Sequence, residues 1–283
     1  MKKIITLIFV AVMSLTIVAC GNKEYKVDGE FTAFEVSYNR EVPMITWVTV
    51  TIEKGKVTKY FIDAKQAEVN EAGEFVWNAK SKKELKYDYN MKPVSEIGKE
   101  WFEQAEALEA FMLEKGPEAV TTKDGYIDNV TGVSVKDGGY TKLAKEALAN
   151  AKANKFLAFE LGYTSAKGPQ VTWSIVTTDN KGKVTEIFLD CLQSDKSTAN
   201  DTVKFTWKAK TKKELKFDYN MKPVSEIGKE WFEQAEALEK FMLEKGVDAV
   251  TTKDGVIDNV TGVSIKDGGY TALTKAAIAL IKK

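Results

Sequence analysis

Residues 80–140 and 210–270 align without a gap and differ at only seven positions: Ser81/Thr211, Tyr87/Phe217, Ala110/Lys240, Pro117/Val247, Glu118/Asp248, Tyr126/Val256 and Val135/Ile265. One unit is written twice, so the fold must accommodate two copies of it, and any site must be sought as a pair of equivalent residues. The expected domains are 25–150 and 151–283, joined near 150–155.

Each copy changes once from a strand pattern to a helix pattern. In the first, 31–38, 45–52 and 57–62 are short runs rich in β-branched and aromatic side chains, and Glu53-Lys54-Gly55-Lys56 reads as a hairpin turn. In the second, 156–163, 171–177 and 184–189 follow the same order, with Asp179-Asn180-Lys181-Gly182 at the turn. Phe75-Val76-Trp77 and Phe205-Thr206-Trp207 suggest a fourth strand. Ser95 and Ser225 then offer helix N-caps. Ile97, Trp101, Ala105, Leu108 and Met112 recur at spacings of four and three, an apolar helix face ending near Gly116. Val133-Ser134-Val135 reads as a short strand before Gly138-Gly139 and a closing helix rich in Ala and Leu. The expected class is α+β, an antiparallel sheet with helices packed on one side. Glu100, Glu103, Glu106 and Glu109 read as the solvated face of the long helix. Trp101 and Trp231 fall on its apolar face and read as core. The strand pairs Trp47/Trp173 and Trp77/Trp207 leave both core packing and stacking on a planar ligand open.

The N-terminus bears on location. Met1-Lys2-Lys3 precedes an uncharged, mostly apolar run over 4–19, short for a permanent span and ending in small residues. Residues 1–19 therefore read as a secretory signal. Ile17-Val18-Ala19-Cys20-Gly21 resembles the lipobox of bacterial lipoproteins, which implies that Cys20 is acylated and begins the mature chain. Residues 20–24 are then a lipidated tether. The expected location is the extracytoplasmic face of the cell membrane, with membrane lipid as the partner of acylated Cys20.

Composition narrows the chemistry. Losing Lys2 and Lys3 from 41 basic and 41 acidic side chains leaves 39 against 41, a net charge of −2, so the electrostatic signature of nucleic-acid binding is missing. There is no histidine, which excludes imidazole general bases and imidazole-built metal sites. No nucleophile has a recognisable base, so no catalytic residue and no metal ligand is assigned. Cys191, the one thiol besides Cys20, stands opposite Ala64 of the first copy and reads as a small packing residue.

The motif that points to chemistry closes each copy: Asp128-Asn129-Val130-Thr131-Gly132-Val133-Ser134, repeated at 258–264. It resembles the Asp-x-x-Ser/Thr-Gly-Ala-Thr pattern of the FMN-binding domain family, in which the last Thr carries FMN through a phosphodiester bond attached by a separate transferase. Residues 88–109 are also similar to the middle of bacterial surface lipoproteins related to that family, many of which lack the acceptor motif. The resemblance implies two tandem FMN-binding-like domains. Ser134 and Ser264 take the acceptor position, Thr131-Gly132 and Thr261-Gly262 match the turn, and Asp128 and Asp258 match the leading acid. Serine keeps the hydroxyl, whereas Val133 and Val263 replace the small Ala with a stiffer, bulkier neighbour. Read without the resemblance, Val-Ser-Val is a strand and Asp-Asn-x-Thr-Gly is turn chemistry.

Two functions remain open on sequence. One is a lipid-anchored surface flavoprotein with two FMN groups, passing electrons outward from a membrane redox donor, with a flavin transferase as a further partner. The other is a cofactor-free surface binding or spacer lipoprotein with an unknown ligand.

Overall fold

The computed structural model describes residues 24–39, 41–70, 74–166, 168–199 and 202–282. Cys20 and the expected signal segment, 1–19, lie outside the described residues.

The first half contains β1 (Gly29–Asn39), β2 (Val42–Glu53), β3 (Lys56–Val69), β4 (Phe75–Trp77), α1 (Lys82–Leu85), α2 (Trp101–Lys115), β5 (Thr122–Lys123), β6 (Tyr126–Ile127) and α3 (Tyr140–Lys152). The second half repeats the order: β7 (Lys155–Tyr163), β8 (Pro169–Thr178), β9 (Val184–Ala199), β10 (Thr202–Trp207), α4 (Lys212–Leu215), α5 (Trp231–Lys245), β11 (Thr252–Lys253), β12 (Val256–Ile257) and α6 (Tyr270–Ala279). Each half is an antiparallel meander, β1-β2-β3-β4 and β7-β8-β9-β10. The fold is mixed α/β, with two similar sheet halves.

Both faces of each sheet are covered, and alternation along the strands decides what each face meets. In β2, Val48, Val50 and Ile52 join Trp101, Leu108, Met112 and Leu143 in a core between sheet and helices, while Ile45 and Trp47 point the other way. The second half builds the same core from Val176, Leu189, Trp231, Leu238 and Met242.

The outward faces pack against each other in a third cluster, which no pattern within one copy announces. Its contacts are reciprocal. Phe34 meets Phe159, Phe75 meets Phe205 and Trp77 meets Trp207, each residue against its own counterpart, with ring centroids 5.1–6.3 Å apart, while Phe31 meets Phe156 (4.5 Å) inside the helix-facing core of the first half. The Trp77 indole donates to Gly162 O (3.1 Å) and its backbone N–H to the Tyr163 hydroxyl (3.1 Å). The Trp207 indole donates to Ser37 O (3.3 Å) and its N–H to the Tyr38 hydroxyl (2.6 Å). Such exchanged contacts are the signature of an isologous, two-fold interface, here made within one chain. The strand tryptophans thus serve packing between halves. At the seam, Glu30 N donates to Leu280 O and Lys282 N to Asp28 O. A Cβ on Gly29 would lie 2.5 Å from Leu280 O, so only glycine permits that approach.

Several local expectations are corrected. Ser95 does not cap the long helix. That helix starts at Trp101, where Glu100 is the N-cap and its N–H donates to Glu103 (2.8 Å). Ile97 precedes the helix and is exposed. Glu100 is buried, accepting from Met91 N (2.8 Å) and Lys92 N (3.1 Å), and Glu109 accepts from Ile62 N (2.5 Å) and pairs with Lys83. Three of the four glutamates are therefore structural acceptors, and only Glu106 is exposed. Cys191 is fully buried, and burial pushes its thiol up to about 11.

Candidate functional site

The acceptor-like motif lies in the connection between β6 and α3 and its copy between β12 and α6. Val133 N donates to Val130 O (3.1 Å) across a turn whose third residue, Gly132, has φ 83°; Gly262 has φ 82°. A type II turn requires this conformation at that place, which is why glycine stands there. A Cβ on either glycine would fall 2.7 Å from the Lys99 or Lys229 Nζ, so each turn is also overlain by a cation. Asp128 accepts from the Thr121 hydroxyl (2.6 Å), and Asn129 bonds Thr121 N (3.0 Å) and Ala119 O (2.8 Å). Asp258 accepts likewise from Thr251 (2.5 Å). Asp128, Asp258, Thr131 and Thr261 are exposed, the two acids bracing the loop from outside. The expected Val133-Ser134-Val135 strand does not form; Val135 O instead accepts from Ile127 N, and the next residue, Lys136, makes a single bridge to Tyr126.

Beneath the turn sits Gln104, fully buried. Its Oε1 accepts from Ser134 N at 2.8 Å and from Ser134 Oγ at 3.3 Å; its Nε2 donates to Ser95 Oγ (3.1 Å) and Lys99 O (3.3 Å). Gln234 repeats the set with Ser264 N (2.8 Å), Ser264 Oγ (3.4 Å), Ser225 (3.1 Å) and Lys229 (3.2 Å). The short bond fixes the serine backbone, while the long one leaves the hydroxyl loosely held and half-buried.

Each serine lines a cavity. That of the first half, about 290 Å³, is walled by Met91, Val94, Ser95, Glu96, Tyr126, Ser134, Val135 and Lys136. That of the second, about 420 Å³, uses the equivalents Met221, Val224, Ser225, Glu226, Ser264, Ile265 and Lys266, and extends inward to Gln170, Lys212, Tyr219, Trp231, Gln234, Gly268 and Tyr270. The Lys212 ammonium lies 5.2 Å from both the Tyr219 and Trp231 ring centroids. Its counterpart Lys82 sits over Tyr89 (5.1 Å) and Trp101 (5.4 Å), and burial, partly offset by Asp63, lowers its amine to about 8. The resulting wall is aromatic and cationic, with one hydroxyl at its edge. It suits a planar ligand that carries negative charge.

Two other hollows are less persuasive. One of about 650 Å³ beside Phe61 and Glu109 is lined by Lys59 and Lys65, which become Glu186 and Leu192 in the second half, so it is not duplicated. Another, about 480 Å³, lies at the seam between Val27 and Ile281 and contains neither motif.

Of the motif residues singled out in the sequence, only Ser134 and Ser264 reach cavity walls; the glycines shape the turns, and the threonines and aspartates stay outside. The residues missed were Gln104 and Gln234, the lysines and the aromatic wall. A signal did exist for the glutamines: each interrupts the apolar stripe between Trp101 and Leu108, or Trp231 and Leu238, where a polar group must find a buried partner. Compared with protein-family models, curated proteins and solved structures, the chain gave no match.

Proposed function

We propose that the chain is a lipid-anchored extracytoplasmic flavoprotein in which the cavity beside the Thr-Gly-Val-Ser turn holds FMN on the serine hydroxyl. The observation that carries this reading is that both candidate acceptors, far apart in sequence, lie on the walls of equivalent cavities with the same buried glutamine behind them. The residues present fit the group. Lys99 or Lys229 and Lys136 or Lys266 would balance the phosphate, and in the second half Trp231, Tyr219 and Tyr270 would face the ring. Attachment forms an Oγ–P bond and breaks the phosphoanhydride of a flavin dinucleotide donor. The nucleoside monophosphate leaves, and the hydroxyl proton passes to a base of the transferase. Losing the Oγ proton sacrifices only the long bond to glutamine, while the 2.8 Å backbone bond stays. When bound, the flavin supplies electron transfer, and the chain's part is to orient it and exclude water.

Two experiments test this. Mature chain co-produced with a flavin transferase should fluoresce in a denaturing gel, and Ser134→Ala/Ser264→Ala should abolish the signal. Cys20→Ala should release the protein from membranes. A second reading, a cofactor-free binding module, is favoured by the satisfied serine N–H, which gives the motif a purely structural use. No fluorescence in the wild-type chain, under conditions that label a known acceptor domain, would select it.

A further inference from the structure

We propose that the two cavities are inequivalent: the Ser264 cavity admits a flavin or similar anionic planar ring, and Tyr126 excludes it from the Ser134 cavity. This rests on the serine-acceptor reading above. The cavities differ in volume, about 290 against 420 Å³, although their linings are nearly the same sequence. Of the seven differences between the copies, two touch these linings. Ile265 in place of Val135 adds bulk to the larger cavity, so it works against the observed difference. Tyr126 in place of Val256 works with it. The phenol lines the smaller cavity, and its ring lies 5.3 Å from the Lys136 ammonium, a cation–π contact that holds this lysine across the mouth. With Val256 opposite it, Lys266 has no such ring and is free to meet a phosphate.

The strand halves act in the same direction. Gln170 of β8 lines the larger cavity, whereas its counterpart Met44 does not line the smaller one; each bonds the equivalent glutamine of the next strand, Gln193 (2.8 Å) or Gln66 (3.8 Å). Lys82 is only 8% exposed, while Lys212 is half-buried and lines the cavity. The larger cavity therefore reaches Tyr219, Trp231 and Tyr270, whereas the smaller one stops short of their counterparts, although Trp101 and Trp231 are equally enclosed at 3% exposure. One chain with two acceptor-like serines should carry one flavin.

The test counts flavins by intact mass after co-production with a flavin transferase. The wild type should carry one, lost in Ser264→Ala and retained in Ser134→Ala. Tyr126→Val, which installs the residue natural to the other copy, should raise the count to two. Val256→Tyr should lower it to zero, with thermal unfolding confirming that the variant is folded. Equilibrium dialysis of free FMN against Ser134→Ala/Ser264→Ala, with and without Tyr126→Val, should give two sites and one site respectively. Two flavins on the wild type, or one on Ser134, would overturn this assignment and leave the flavoprotein reading standing. No mass increment and no FMN binding in any variant would remove both.

Discussion

At the scale of single residues, the site depends on one buried amide per half. Gln104 is wholly enclosed and uses both ends of its amide, accepting from Ser134 and donating to Ser95 and Lys99. Gln104→Leu keeps the volume but strands the Ser134 N–H and the Lys99 carbonyl, and a buried unpaired group costs about 1–3 kcal/mol. Denaturant unfolding should show a loss of that size, and amide exchange at Ser134 should accelerate. Lys82 gives a pH signature. Burial lowers its amine from the ordinary 10.5 to about 8, so below pH 8 both folded and unfolded chains hold the proton and the penalty of burying the charge is complete. Between about 8 and 10.5 the unfolded chain keeps a proton that the folded one has released, so this group's contribution to stability rises with pH. Lys82→Met should therefore melt higher than the wild type at pH 7, by a margin that shrinks towards pH 10. A margin independent of pH would show that the lysine stays protonated when folded.

At the scale of elements, what could be read in the sequence was what repeats along a strand or helix. The meander strands, their turns and the stripe Trp101, Ala105, Leu108 and Met112 were visible because alternation and helical periodicity express burial directly. Ser95 was misread because a serine ahead of an apolar helix looks like a cap wherever it stands. The actual cap, Glu100, is a glutamate whose carboxylate reaches back to Met91 and Lys92, a contact set by the tertiary path of residues 86–99. The Thr-Gly-Val-Ser turn was legible in composition but not in conformation: Val-Ser-Val has strand chemistry, yet the bond from Ser134 N to Gln104 takes the donor a ladder would need. Glu100→Gln keeps the shape but replaces one of the two acceptor oxygens with an NH2 donor, so Met91 N and Lys92 N are left with one acceptor between them. It should cost about 1–2 kcal/mol, with exchange accelerated at Met91 and Lys92 and unchanged in the equivalent segment of the second half.

At the scale of the whole molecule, the chain is a dimer of halves fused end to end. The third cluster could not be read from either copy, because its partners are 125–130 residues apart and no periodicity links them. Its reciprocity leads to a prediction for the proposed domains. Residues 151–283 alone bury their helix-facing core but expose Phe159, Trp173, Phe205 and Trp207. Since that face is complementary to its own counterpart, the isolated half should self-associate as a two-fold dimer in sedimentation. Trp207→Ala should weaken the association by removing the ring contact and the indole bond to the opposite strand, while the backbone N–H remains. A monomer with an unchanged unfolding transition would show that the halves are merely tethered. The same two-fold relation presents two candidate sites on one body, and the proposal is that the second of them holds FMN. Tryptic mapping of the mature chain co-produced with a flavin transferase tests it most directly. The predicted result is an FMN phosphodiester on the peptide that contains Ser264, at the serine itself. FMN on Thr261, FMN on a residue outside the two turns, or both serines unmodified beside a labelled control domain would contradict it.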